Sequence, residues 1–195
     1  MKHNLLLGLN YLRTFLLAQF ICFWMVMGCN GVEAAATARV DLGIEFFSSF
    51  LAADANIGGK TDKNNQLVVV ILHNGNETMA QKLALLMRQV QNIRGFPLRV
   101  VLTNDPTLTN FNNFTPAGIF LSQPRPDDLE QVIAWGRQHH RLVLSPFPGD
   151  VERGILGGIS VREVVLPKVN MTALQEWKVS LKPFFLRIAR RYDHE

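Results

Sequence analysis

Leu67-Val68-Val69-Val70-Ile71-Leu72, followed at once by His73-Asn74-Gly75-Asn76, is the stretch that decides the fold. A strand with one wet face alternates apolar and polar residues, and this run does not alternate. Six apolar residues in a row, four of them β-branched, suit a strand covered on both faces, the usual setting of a central parallel strand. His73 to Asn76 then reads as a turn. From Glu77 to Val90 the apolar positions change to a helical period through Met79, Leu83, Leu86 and Val90. Residues 67–90 are therefore expected to form a βα unit.

Working outward toward the C-terminus, Leu98 to Leu102 is expected to be a second strand and Ile119 to Ser122 a short third one. Pro126 suits the first turn of a helix whose face carries Leu129, Val132, Ile133 and Trp135. Arg141 to Ser145 is the next strand, Gly149 to Arg153 marks a change of direction, and Ile155 to Val161 and Val164 to Val169 are two further extended segments. Asn170 reads as the N-cap of a short helix from Met171 to Trp177, and Pro183 as the opening of a final helix to Tyr192. Toward the N-terminus, Gly58 to Asn65 is a polar loop. Before it, Arg39 to Asp54 carries Val40, Ile44, Phe47 and Leu51 at helical spacing, with Leu42, Phe46 and Phe50 widening the stripe until most sides should be buried. The alternation points to an α/β fold in a single domain: a mostly parallel open sheet with helices on both faces, a Rossmann-like three-layer sandwich, and an antiparallel pair near its end.

Residues 1–36 have the pattern of a targeting segment. Lys2 and Arg13 supply positive charge, the apolar run Phe15 to Gly28 follows, and Val32-Glu33-Ala34 and Ala34-Ala35-Ala36 both offer the small residues that signal peptidase prefers. Val26-Met27-Gly28-Cys29 also matches a lipobox, which would place an acylated Cys29 at the new N-terminus. The expected organisation is a signal peptide over 1–36, or a lipoprotein leader ending before Cys29, and one α/β domain over 37–195. Cys22 and Cys29 are the chain's two cysteines, so the mature domain keeps at most one and closes no disulfide of its own. Removing Lys2, Arg13 and Glu33 leaves 18 basic and 15 acidic residues, with the excess concentrated in the last residues rather than on a broad face. That distribution does not suggest nucleic-acid binding.

The candidate ligand site is His73, Asn74, Gly75 and Asn76, because open α/β sheets bind ligands where a strand ends and a helix begins, and a helix start favours a small anion. The phosphate fingerprints that combine several glycines with a lysine are missing, so the expectation rests on topology. His139 and His140 close a predicted helix, where the dipole favours imidazolium. Adjacent helical residues point about 100° apart, so the two do not converge on one metal ion, and no metal site is expected. Asp127 with Asp128 and Asp150 with Glu152 are carboxylate pairs, the first at a helix start where negative charge is favoured. The absence of Gly-x-Ser-x-Gly and of any acid–base constellation leaves no expected catalytic residue or cofactor. Gly154, Gly157 and Gly158 suggest close packing beside a strand. Asn76, Asn113 and Asn170 begin Asn-x-Ser/Thr triplets, of little consequence behind a bacterial-type leader. Lys182 to Tyr192, read as an amphipathic helix, places Phe184, Phe185, Ile188 and Tyr192 on one side and its arginines on the other.

With these segments laid out, the mature chain resembles the YfiR-type family of exported bacterial proteins. The likeness rests on the aromatic first helix Val40 to Phe50, on Leu67 to Leu72 with Gly75, and most specifically on Val169-Asn170-Met171-Thr172-Ala173-Leu174, Val179-Ser180-Leu181 and Phe185-Leu186-Arg187-Ile188-Ala189. What the resemblance implies is a periplasmic regulator that binds the outer segment of an inner-membrane diguanylate cyclase and holds it inactive, without itself touching cyclic-di-GMP. The cysteines through which some members of that family respond to redox are absent here. A homodimer is compatible with this reading, and partner-contacting residues are not transferable from it. The competing expectation is a small-ligand binding module related to half of a solute-binding protein, its pocket at Asn74, Gly75 and Asn76.

Overall fold

The strand expected from Leu67 to Leu72 is buried along its whole length and lies inside an eight-stranded sheet. The computed structural model describes residues 35–111 and 114–193; Cys29, nearly all of the expected leader and Asn113 lie outside them. Two compact units divide after residue 38, and the architecture below is that of residues 39–195.

Residues 39–53 are helical (α1). The strands and helices that follow are β1 (Leu67–Leu72), α2 (Glu77–Arg88), β2 (Asn92–Ile93), β3 (Phe96–Thr103), β4 (Gly118–Leu121), α3 (Leu129–His139), β5 (Leu142–Ser145), β6 (Gly157–Val161), β7 (Val165–Asn170), α4 (Met171–Glu176), α5 (Pro183–Ile188) and β8 (Arg190–Tyr192). The spatial order is β2-β3-β1-β4-β5-β6-β7-β8. β1, β3, β4, β5 and β6 run parallel; β6–β7 is the expected antiparallel pair, and β2–β3 is a second one at the far edge. The chain is thus a single-domain α/β fold with a mostly parallel sheet.

Packing assigns the helices to faces. The space above Gly118 and Gly157 is filled by Phe47, Leu51 and Phe50 of α1, and Phe50 meets Phe185 of α5 edge-on at 4.8 Å between ring centroids. α2 joins α1 through the Lys82–Asp41 ion pair, at 2.7 Å. On the opposite face, Gly136 brings α3 against Val143 and Trp177; a Cβ there would sit 2.5 Å from the indole and 2.8 Å from the valine, so no larger residue fits without displacing one of them. Phe47, Phe50 and Leu51 are fully buried, each contributing about 1.5–3 kcal/mol of burial. This is the driving force that the widened stripe of α1 encodes.

Two expectations need correction. The final helix does not run to Tyr192: it ends at Ile188, Ala189 is extended, and Arg190–Tyr192 pairs with Lys168–Asn170 as β8. β7 otherwise presents a free edge of N–H and C=O groups, and pairing that edge outweighs continuation of the helix. Of the side expected to be apolar, Phe185 alone is buried; Phe184 and Ile188 face solvent. The strand expected at Leu98 is also longer, because Arg94 and Gly95, both at positive φ, make a tight turn that folds Asn92–Ile93 back on it.

Candidate functional site

The chain leaves β1 for β3 on one flank and returns to β4 on the other, so the carboxyl ends of β1 and β4 flank the topological switch point. His73, Asn74, Gly75 and Asn76 sit there, as the sequence leads one to expect. Gly75 turns the chain at φ +91, a conformation that favours glycine. Asn76 caps α2, its side chain accepting the Met79 N–H at 3.0 Å.

The crevice is closed from the opposite side by a residue outside the expected site. Gln123, two residues past β4, accepts the N–H groups of Asn74 and Asn76 on a single amide oxygen, at 2.6 and 3.1 Å. Those N–H groups are the ones an incoming anion would use. Asn74 in turn donates through Nδ2 to the Pro124 carbonyl at 3.2 Å. Beside them, the buried Arg125 donates to the His73 and Asn104 carbonyls and grips both oxygens of Asp128. One guanidinium thereby ties together the ends of β1 and β3 and the start of α3. The signal that could have revealed it is the polar string Ser122-Gln123-Pro124-Arg125 directly after a short buried strand. A ligand entering this crevice would first have to displace Gln123.

The other sequence candidates do not join this site. Asp128 is spent on Arg125, and Asp127 is not part of that contact. Asp150 bonds to the Ser145 hydroxyl, and burial raises its carboxyl above the ordinary range while that bond opposes the shift. Glu152 pairs with Lys168 instead. Asn170 is buried and caps α4, accepting the Ala173 N–H at 2.9 Å. Gly157 and Gly158 admit Phe50 and Val151 at close range, so their role is packing. The expected preference of the helix-end histidines for imidazolium is overturned at His139. Its ring lies 4.5 Å from Trp135, and burial, with Arg141 and His140 close by, pushes its titration down rather than up. His140 closes α3 in the left-handed conformation, its Nδ1 bonded to the Trp177 carbonyl at 2.9 Å. Among the described residues, no three His, Cys, Asp or Glu side chains gather as a metal site, and no helix is long and apolar enough to cross a membrane.

Exposed large apolar side chains concentrate elsewhere. Val161, Val164 and Leu166 on the β6–β7 hairpin and Phe184 and Ile188 on α5 all lie at the β6–β8 end of the sheet; Leu85 on α2 is the exception.

No family model and no curated relative matches the sequence. Among solved structures, a conserved domain protein from Vibrio cholerae O1 biovar eltor aligns over 80% of this chain and 60% of its own, with a TM-score of 0.51 and 13% identity. An ABC domain from Streptococcus pneumonia, solved in complex with L-Trp, aligns over 73% of this chain and 60% of its own, with a TM-score of 0.45 and 9% identity. This chain therefore spans 60% of the length of either structure, and what the likeness to the Vibrio cholerae protein carries is the α/β fold.

Proposed function

We propose that this protein is an exported envelope signalling protein that works by contact, binding the periplasmic segment of an inner-membrane diguanylate cyclase and holding it inactive. The observation that carries the reading is the contrast between the two ends of the sheet. At the switch point, where an α/β domain would take a small ligand, the binding N–H groups are occupied by the chain's own Gln123. At the β6–β8 end, Val161 and Val164 of the β6–β7 hairpin and Phe184 and Ile188 of α5 are exposed, α5 and β8 carry the exposed cations Arg187 and Arg191, and Leu166 is exposed on the opposite face of the sheet. Exposed apolar groups rimmed by charge are the mark of a protein-binding surface. The likeness to the YfiR-type family supports the identity of the partner, and the leader supports the periplasm as the place of contact.

The test is recovery of a membrane-embedded cyclase from detergent-solubilised envelopes by the tagged chain, together with cyclic-di-GMP levels in a deletion strain. The parental chain should capture a cyclase, and the deletion should raise the nucleotide level. A strain carrying the double variant Val164→Asp/Ile188→Asp should match the deletion in cyclic-di-GMP, and the variant chain should capture no cyclase. Capture without change in cyclic-di-GMP, or unchanged capture by that double variant, would remove the reading's support.

A further inference from the structure

Asn74 is followed by a glycine, and the pair lies exposed in the turn between β1 and α2. Glycine has no Cβ, so it leaves the backbone nitrogen next to the asparagine side chain unshielded. The space where a Cβ would stand is open as well: no atom beyond the two adjoining residues lies within 4 Å of it. The N–H groups on either side, at Asn74 and Asn76, both donate to Gln123, whereas the Gly75 N–H has no acceptor among the described residues.

Other exposed asparagines differ on both counts. The N–H groups that follow Asn56, Asn64 and Asn110 belong to Ile57, Asn65 and Phe111, and they are engaged by the carbonyls of Asp54, Asp62 and Leu108 at 3.3, 3.0 and 3.1 Å. The one that follows Asn104 belongs to Asp105 and is held by the Thr103 hydroxyl at 3.2 Å. Asn74 alone among these five sets an exposed amide carbon beside a nitrogen that is both unshielded and uncommitted. Its side chain is tied by one bond, from Nδ2 to the Pro124 carbonyl at 3.2 Å. Such a bond is worth about 0.5–1.5 kcal/mol, which slows rotation of the amide toward Gly75 without forbidding it.

We propose that Asn74 and Gly75 form a site of spontaneous deamidation, and that the product loosens the latch made by Gln123. The Gly75 nitrogen gives its proton to solvent base and bonds to Asn74 Cγ, closing a five-membered imide. The bond from Cγ to Nδ2 breaks, and that nitrogen leaves as ammonia. Water then opens the ring: cleavage at Cγ restores the backbone and leaves aspartate, whereas cleavage at the main-chain carbonyl leaves isoaspartate, with the chain routed through Cγ. One water is consumed for each ammonia released. Either product replaces the Nδ2 donor by a carboxylate. In aspartate that carboxylate competes with the Gln123 amide for the Asn76 N–H two residues on, as a charged Asx turn. The reaction needs no partner and is independent of the proposed function.

The full chain is aged at neutral and at mildly alkaline pH and mapped by electron-transfer tandem mass spectrometry, which distinguishes isoaspartate from aspartate residue by residue. Asn74 should convert ahead of Asn56, Asn64 and Asn110, severalfold faster at the higher pH, with both products formed. Gly75→Ala, which sets a Cβ beside the nitrogen, should lose most of the conversion. Should that variant fail to fold because Gly75 sits at φ +91, isoaspartate in the parental chain decides, since direct hydrolysis of the side chain yields aspartate alone. Asn74→Asp, made as the product, should show severalfold lower hydrogen-exchange protection at Asn76. An intact Asn74, aspartate without isoaspartate, undiminished conversion in a folded Gly75→Ala, or unchanged protection in Asn74→Asp would overturn the proposal.

Discussion

Two connections reach or leave β3, and they solve the same problem in opposite ways. From β1 to β3 the chain uses α2, which satisfies its own backbone, is capped by Asn76 and buries Ala80, Leu83, Ala84 and Met87 against the sheet. From β3 to β4 it uses an irregular segment whose backbone is held by side chains: Asp105 accepts from the N–H groups and hydroxyls of both Thr107 and Thr109, and Arg125 takes the Asn104 carbonyl. A helix closes its hydrogen bonds internally and can spend a whole face on packing. A loop must borrow acceptors and covers less of the sheet. The partial exposure of β3, in which Val100 alone is fully buried, follows from that difference.

The largest effect expected from breaking this contrast lies at Arg125. Arg125→Met keeps much of the volume but leaves Asp128 and two carbonyls without their buried partner, and should cost about 3–5 kcal/mol in urea unfolding. A cost below about 1 kcal/mol would mean that the loop connection stands without its tie. On the helical side, Leu83→Ala opens a cavity under α2 and should cost about 2–5 kcal/mol in the same assay. The cap offers a finer comparison: Asn76→Ala should cost about 1 kcal/mol and Asn76→Ser much less, since a serine hydroxyl can accept the same N–H.

The smallest effect separates the two connections by pH. The Thr107 hydroxyl, helped by the other donors around it, holds the Asp105 carboxyl below the ordinary carboxylate range. Its folded pKa lies below the unfolded value of about 3.9, so the stabilisation is complete above that value and fades as pH falls through the folded one. Protection factors at Thr107 and Thr109 should therefore drop on acidification while those of α2 hold, and Asp105→Asn should flatten the profile. Equal acid sensitivity in both connections would contradict the distinction.

The helical connection is legible in the residues alone, because Met79, Leu83 and Leu86 repeat at the period of the helix they belong to, although that helix ends at Arg88, short of the expected Val90. The caps at Asn76 and Asn170 are legible for the same local reason. The C-terminal segment is not: Phe184 to Tyr192 has helical spacing, yet its end is a strand because β7 offers an edge. The candidate site is half legible. Topology points to His73–Asn76, but nothing near those residues announces that Gln123 occupies them.

Local period and residue type determined that Leu67–Leu72 would be a strand buried on both faces and that α1 and α2 would each turn an apolar stripe to the core, since these properties repeat within a few residues. Strand order decided the rest. Asn74 meets Gln123 across 49 positions, and Arg99 meets Phe114 through a connection whose described residues form one short 3-10 helix, Thr109–Phe111, and no α-helix. Such meetings depend on which strand returns beside which, a choice made by the packing energy of the whole sheet rather than by any window of the chain.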